Sequence, residues 1–170
     1  MVTYHEYIVK KRKKPIDIAL CILIPIAAIV VAYILTGILF AIPMLTFLVP
    51  ASWVGLGWLA VRFIGSRNVE FEYLLTDCDL DVDKIINKNR RKRIISTYRK
   101  EIIAMAPVGS SNLPSDINEM EKVEVCSAME DEGVYALVVQ QDKKKVVYFQ
   151  PTETMIETMV MRNPRKVFRD

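Results

Sequence analysis

The stretch IALCILIPIAAIVVAYILTGILFAIPMLTFLVPASWVGLGWLAV, residues 18 to 61, contains no Asp, Glu, Lys, Arg or His. A helix needs about 20 apolar residues to cross roughly 30 Å of hydrocarbon, so this run is long enough for two crossings. Gly37 and Pro43 bracket the expected reversal, which places one span near 15 to 39 and a second near 44 to 64. Pro15 suits a first helical turn, where its missing N–H costs nothing. Pro25 and Pro50 fall inside the helices or near their ends, which lipid tolerates where neighbours satisfy the freed carbonyls.

The flanks of the run carry its orientation. Lys10, Lys11, Arg12, Lys13 and Lys14 precede it, Arg62 and Arg67 follow it, and the reversal has no Lys or Arg. Positive flanks stay on the cytoplasmic side, so both termini are expected there, in a cell membrane crossed twice. One long span with a re-entrant segment would put the C-terminal portion outside. A secretory signal is disfavoured because its apolar region is only about 7 to 15 residues long. Ala28 with Ala32, and Ala51 with Gly55, give four-residue spacings of small residues that let helices approach closely. Those spacings suit packing of the two spans on each other, or a dimerisation face.

Charge separates the two parts of the 170-residue chain. Residues 1 to 67 hold seven Lys and Arg against Glu6 and Asp17, whereas residues 68 to 170 hold sixteen against eighteen acids. Cys21, Cys78 and Cys126 are odd in number and widely spaced, which predicts free thiols rather than a disulfide framework or zinc site.

Beyond Ser66 the dominant pattern is alternation. Val69, Phe71 and Tyr73 alternate with Glu70 and Glu72, and Leu80 and Val82 with Asp79, Asp81 and Asp83. Period two marks half-buried strands. Strands are predicted near 69 to 76, 79 to 87, 91 to 98, 101 to 106, 122 to 128, 134 to 141 and 145 to 150. Residues 109 to 116 form a breaker-rich loop. A final helix begins after Pro151, presents Met155, Ile156, Met159 and Val160 on one face, and stops at Asn163-Pro164. The tail Arg165, Lys166, Val167, Phe168, Arg169 is basic and unassigned, and residues 1 to 8 show no clear period.

The expected architecture is α+β: residues 1 to 14 a basic N-terminal segment, 15 to 66 a transmembrane helical hairpin, and 67 to 170 an antiparallel β-barrel or sandwich of about seven strands with a C-terminal capping helix. That element order is PH-like. Phe71-Glu72-Tyr73-Leu74-Leu75-Thr76-Asp77 with Leu80 and Val82, the basic stretch Arg90 to Arg93, and Asn163-Pro164-Arg165-Lys166-Val167-Phe168 make the chain resemble a family of uncharacterised small bacterial membrane proteins with two N-terminal spans and a cytoplasmic PH-like domain. The resemblance implies a fold and a location, and brings no catalytic residues and no defined ligand.

Little here suggests catalysis. Asp77, Asp79, Asp81 and Asp83 mimic the start of a calcium loop, but Val82 stands where the turn glycine belongs and Lys88 where the closing glutamate belongs. They read better as the polar face of a strand. His5 is the only histidine, and there is no nucleophile elbow, phosphate loop or metal-spaced Cys/His set. No cofactor or metal is expected.

The sharper feature is Lys88, Arg90, Arg91, Lys92 and Arg93. If the first strand after the spans runs away from the bilayer, the next returns, bringing this turn back toward it. With Lys10 to Lys14, Arg62 and Arg67 it would form a ring of cations facing anionic headgroups. The plainer alternative is a solvated hairpin tip whose cations offset the neighbouring aspartates. Nucleic acid is disfavoured, since this part is net acidic and has no aromatic platform among its cations. The expected function is a non-enzymatic, membrane-anchored binding module for lipid headgroups or a protein, the alternative a structural subunit of a homo- or hetero-oligomeric assembly.

Overall fold

A computed structural model describes residues 4–169. The chain forms two compact units, one of residues 13–68 and the other combining residues up to Arg12 with those from Val69 onward.

The first unit is a helical hairpin of α1 (Pro15–Ala41) and α2 (Leu48–Gly65), joined through a short 3-10 turn, Pro43–Leu45. Both helices are long and apolar enough to cross a membrane by length and composition. Pro15 stands at the N-terminus of α1, and the Asp17 carboxylate accepts the Lys14 N–H at 3.2 Å, satisfying one orphan donor of the first turn. Asp17 also meets Arg67 at 3.6 Å. Pro50 is the third residue of α2, in the turn whose N–H groups lack intrahelical acceptors, so it removes no bond there.

The helices meet through Ala32 and Ala60, both buried, and through Trp53, whose indole N–H donates to Thr36 Oγ1 at 3.0 Å. Tyr33 packs edge-on against Trp53 at 5.6 Å. The Ala28/Ala32 spacing thus serves helix approach, opposite Gly57 and Ala60. Ala51 and Gly55 do not, because both are exposed on the other side of α2. Most large side chains of the hairpin point outward, Ile22 being 61% and Val54 73% exposed.

The second unit is built from two four-stranded sheets. β1 (Tyr4–Lys10), β2 (Val69–Thr76), β3 (Asp79–Ile86) and β4 (Arg90–Thr97) form an antiparallel meander in that order. β5 (Ile102–Pro107), β6 (Glu121–Glu124), β7 (Tyr135–Gln140) and β8 (Lys144–Phe149) form the second sheet in the order β5-β7-β8-β6. α3 (Glu153–Arg162) follows, its first turn capped by Thr152, whose hydroxyl accepts the Met155 N–H at 3.4 Å.

Alternation explains the core: Phe71, Tyr73, Leu75, Leu80, Val82 and Ile95 turn one face of the first sheet toward Leu137, Val147 and Phe149 of the second, and Met155, Ile156 and Met159 of α3 join them. Tyr73 is fully buried, donating to the Val125 carbonyl at 2.6 Å and accepting the Gln150 N–H at 3.3 Å. Burial pushes its phenol well above the usual range.

Three features differ from the sequence reading. There is an eighth strand, since β1 pairs along its length with β2, from Tyr4 opposite Thr76 to Lys10 opposite Glu70. As an edge strand it buries only Val9, so it shows no period-two signature. The segment 1 to 14, read as a separate basic piece, therefore divides, and the β unit is not confined to residues 67 to 170. Second, the strands are not all antiparallel, because β6 runs parallel to β8. Third, the unassigned tail closes an edge: the Met105 N–H donates to the Lys166 carbonyl at 2.7 Å and Phe168 returns a bond to Met105 at 2.8 Å.

Candidate functional site

The basic stretch begins at the tight β3–β4 connection. Asn87 (φ 51°) and Lys88 (φ 58°) are both left-handed, and the Asn89 N–H closes on the Ile86 carbonyl at 3.2 Å. Two consecutive left-handed residues match the strand twist, and asparagine tolerates the conformation readily. Lysine does so at some cost, so the turn fixes an exposed cation on strained backbone.

Register then fixes the end of the sheet. Lys10, Glu70, Ile85 and Arg91 are successive cross-strand partners, so the turn lies at the same end as Lys10 to Arg12 and Val69. At about 4.8 Å per strand, the β1 and β4 cations are separated by roughly 14 Å across the sheet.

A β-bulge sorts the basic residues. The pairing shifts between Val82 and Asp83, so that Ile95 faces Val82 while Arg93, not Ile94, faces Asp83. One extra residue moves every side chain before it to the opposite face. Arg91 and Arg93 consequently share the face of Glu72, Asp81 and Asp83, and Lys92 shares the other face with Lys84.

On the acidic face the arginines are committed. Arg91 grips Glu72 through two contacts, at 2.9 and 3.0 Å. Glu72 is 1% exposed. Burial raises its pKa, Arg91 opposes the shift, and Glu6 and Asp83 reinforce it. Arg93 spans Asp83 and Asp81, the latter at 2.7 Å, and its hydrogen bond with Asp83 makes the guanidinium harder still to deprotonate. The aspartates 79, 81 and 83 line one strand face as expected, while Asp77 lies in the β2–β3 turn and pairs with Arg162 at 2.8 Å. Among the described residues, no three His, Cys, Asp or Glu side chains are grouped to hold a metal ion.

What remains free is a subset of the basic residues. Lys88, Arg90 and Lys92 are exposed and have no acidic partner among the described residues. Of the other cations expected to act together, Lys10 ends β1, Lys11 donates its backbone N–H to the Val69 carbonyl at 3.0 Å, and Arg12 pairs with Asp131 at 3.0 Å. Lys13, Lys14, Arg62 and Arg67 belong to the helical unit, where Arg62 stacks over Trp58 at 5.4 Å and Arg67 meets Asp17. The bulge and the Arg91–Glu72 pair escape sequence reading, because neither shows until the strands are registered. The only visible hint was an acidic strand followed by a basic one.

Two four-stranded sheets closed by a C-terminal helix, with a helical hairpin inserted between the first and second strands, define an α+β module carrying an apolar hairpin. The chain belongs to the family described as Bacterial PH-like domain (DUF6106), which matches residues 1–169, both helices and β1 included. No curated protein and no solved structure matches it.

Proposed function

We propose that α1 and α2 span the membrane with both flanks in the cytoplasm, and that the PH-like unit is a non-enzymatic binding module held at the cytoplasmic leaflet, where Lys88, Arg90 and Lys92 engage anionic lipid headgroups. The observation that carries this reading is the hydrogen bond from Lys11 N–H to the Val69 carbonyl at 3.0 Å. The residues flanking the hairpin are thus neighbours in one sheet, and a membrane-embedded segment entering and leaving beside a single sheet crosses an even number of times. A single span with a re-entrant loop does not meet that requirement. The outward-facing apolar side chains of α1 and α2 suit lipid, and the positive flanks suit a cytoplasmic location.

The three unpaired cations support headgroup contact because they lie at the sheet end where the chain departs for the helices. Each basic residue near an anionic surface contributes on the order of 1 kcal/mol. The test uses the PH-like unit alone, with Arg12 joined by a short linker to Val69, since a fragment starting at residue 68 would lack β1. It should bind anionic vesicles at low salt, and replacing Lys88, Arg90 and Lys92 with Ala should weaken binding roughly 10- to 100-fold. Indifference of the parent protein to such vesicles would contradict the lipid reading.

The alternative, a structural subunit of an assembly, draws on Ala51 and Gly55, four residues apart and exposed on α2. Cross-linking in native membranes would separate the two readings by revealing a defined oligomer.

A further inference from the structure

The far end of the same unit holds a second group of cations. Arg99, Arg162, Arg165 and Lys166 line a cleft of about 290 Å³ with Asn163 and Pro164, and among the described residues no carboxylate lines it. Two acids lie close by: Asp77 pairs with Arg162 at 2.8 Å, and Asp79 accepts the backbone N–H of Arg99 at 2.8 Å.

The remaining cations are held without being neutralised. Arg99 donates from Nε to Asn163 Oδ1 at 3.0 Å and from Nη2 to the Arg162 carbonyl. Lys166 Nζ donates to the Ile102 carbonyl at 2.5 Å. Neutral acceptors fix where these charges stand but cancel none of them. Arg165 is exposed and has no acidic partner among the described residues. Compensation of the α3 C-terminal dipole explains Arg99, which touches the last helical carbonyl. It does not explain Lys166, whose partner is in β5, or Arg165.

We infer that this cleft binds a phosphate dianion presented from the aqueous phase, with Arg99 and Lys166 supplying pre-positioned charge and Arg165 the third cation. Charge-assisted hydrogen bonds from guanidinium and ammonium groups to phosphate oxygens are the strong class, and guanidinium geometry suits them. Resting on the membrane reading proposed above, position along the sheet argues for a water-soluble source. The Asp77–Cys78 turn, tied to this cleft by Arg162, is at the opposite end of β2 from Val69, about 23 Å along the strand at roughly 3.3 Å per residue. The inference does not depend on headgroup binding at Lys88, Arg90 and Lys92, and its test leaves those residues intact.

The experiment uses the full chain in nanodiscs of zwitterionic lipid, titrated with inorganic phosphate against chloride at matched ionic strength and followed by calorimetry. Saturable binding with a Kd of about 1 mM or tighter is expected. Arg165→Gln should weaken it by about tenfold, and Arg165→Glu by more. Because Arg165 makes no pair among the described residues, both variants should keep the parent Tm without phosphate, and Lys166→Gln gives an independent loss of charge from the same cleft. A triple Lys88, Arg90 and Lys92 to Ala variant should titrate like the parent. Nanodiscs containing phosphatidic acid should leave the phosphate titration unchanged. Absence of saturable binding, or equal affinity in all three cleft variants, overturns the site. Competition by phosphatidic acid that depends on Arg165 overturns the aqueous source.

Discussion

The helical hairpin and the β unit place similar side chains in opposite ways. In the hairpin, Ile22, Leu23 and Val54 face outward and the contact surface is made of Ala32, Ala60 and a Thr36–Trp53 hydrogen bond. In the β unit, Leu75, Leu80 and Val82 are wholly buried, and on the opposite face of the first sheet the charges that meet solvent are Arg91 and Arg93, laid over Glu72, Asp81 and Asp83. Water accounts for the second arrangement: apolar area is removed from solvent at roughly 25 cal/mol per Å². Applied to the first, the same rule supports the apolar surrounding proposed above, in which helices associate through small residues and hydrogen bonds rather than large apolar contacts.

The sharpest way to break that contrast is truncation on each side of it. Leu75→Ala should destabilise the β unit by about 2 to 5 kcal/mol through the cavity it leaves, whereas Val54→Ala should leave the β-unit Tm unchanged. Similar losses from both in lipid nanodiscs would show that Val54 is packed against protein. Next in size is Tyr73→Phe, which strands the Val125 carbonyl and the Gln150 N–H in the core. A cost of about 1 to 3 kcal/mol is expected, read as an earlier urea midpoint.

A smaller difference lies within the basic stretch. Arg91→Ala leaves buried Glu72 unpaired and should cost about 1 to 2 kcal/mol, given that the arginine itself is largely solvated, while Arg90→Ala should fall within about 0.5 kcal/mol of the parent. Equal effects would mean that the bulge does not sort these side chains.

The finest test is pH dependence. Burial raises the Glu72 pKa, so above the ordinary carboxylate value of 4.5 the folded chain retains a proton that the unfolded chain has released. Its contribution therefore favours folding at low pH and is lost as pH rises through the raised value. Glu72→Gln should gain on the parent from about pH 4.5 upward. Parallel profiles would contradict the assignment.

How much of this was legible in the sequence follows from range. The hairpin declared itself because 44 residues without charge require no partner to interpret. β2 and β3 declared themselves because one face of each is buried, so alternation appears within the strand. β1 did not, because only Val9 of its seven residues is buried and its membership depends on pairing with residues some sixty positions later. The parallel β6–β8 pairing and the tail on β5 are hidden for the same reason. In the candidate site, the composition of residues 88 to 93 was visible, but its division into paired Arg91 and Arg93 and free Lys88, Arg90 and Lys92 depends on a one-residue bulge that no single strand reveals.

The most direct measurement of the central claim is labelling with a membrane-impermeant maleimide in a background where Cys21, Cys78 and Cys126 are replaced, using single cysteines at Met44 in the reversal, at Lys13 and Arg67 on the flanks, and at Lys88 in the turn. The account predicts that intact cells label position 44 alone and that inverted vesicles label 13, 67 and 88 alone. Labelling of 13 and 67 from opposite faces of the membrane would contradict it.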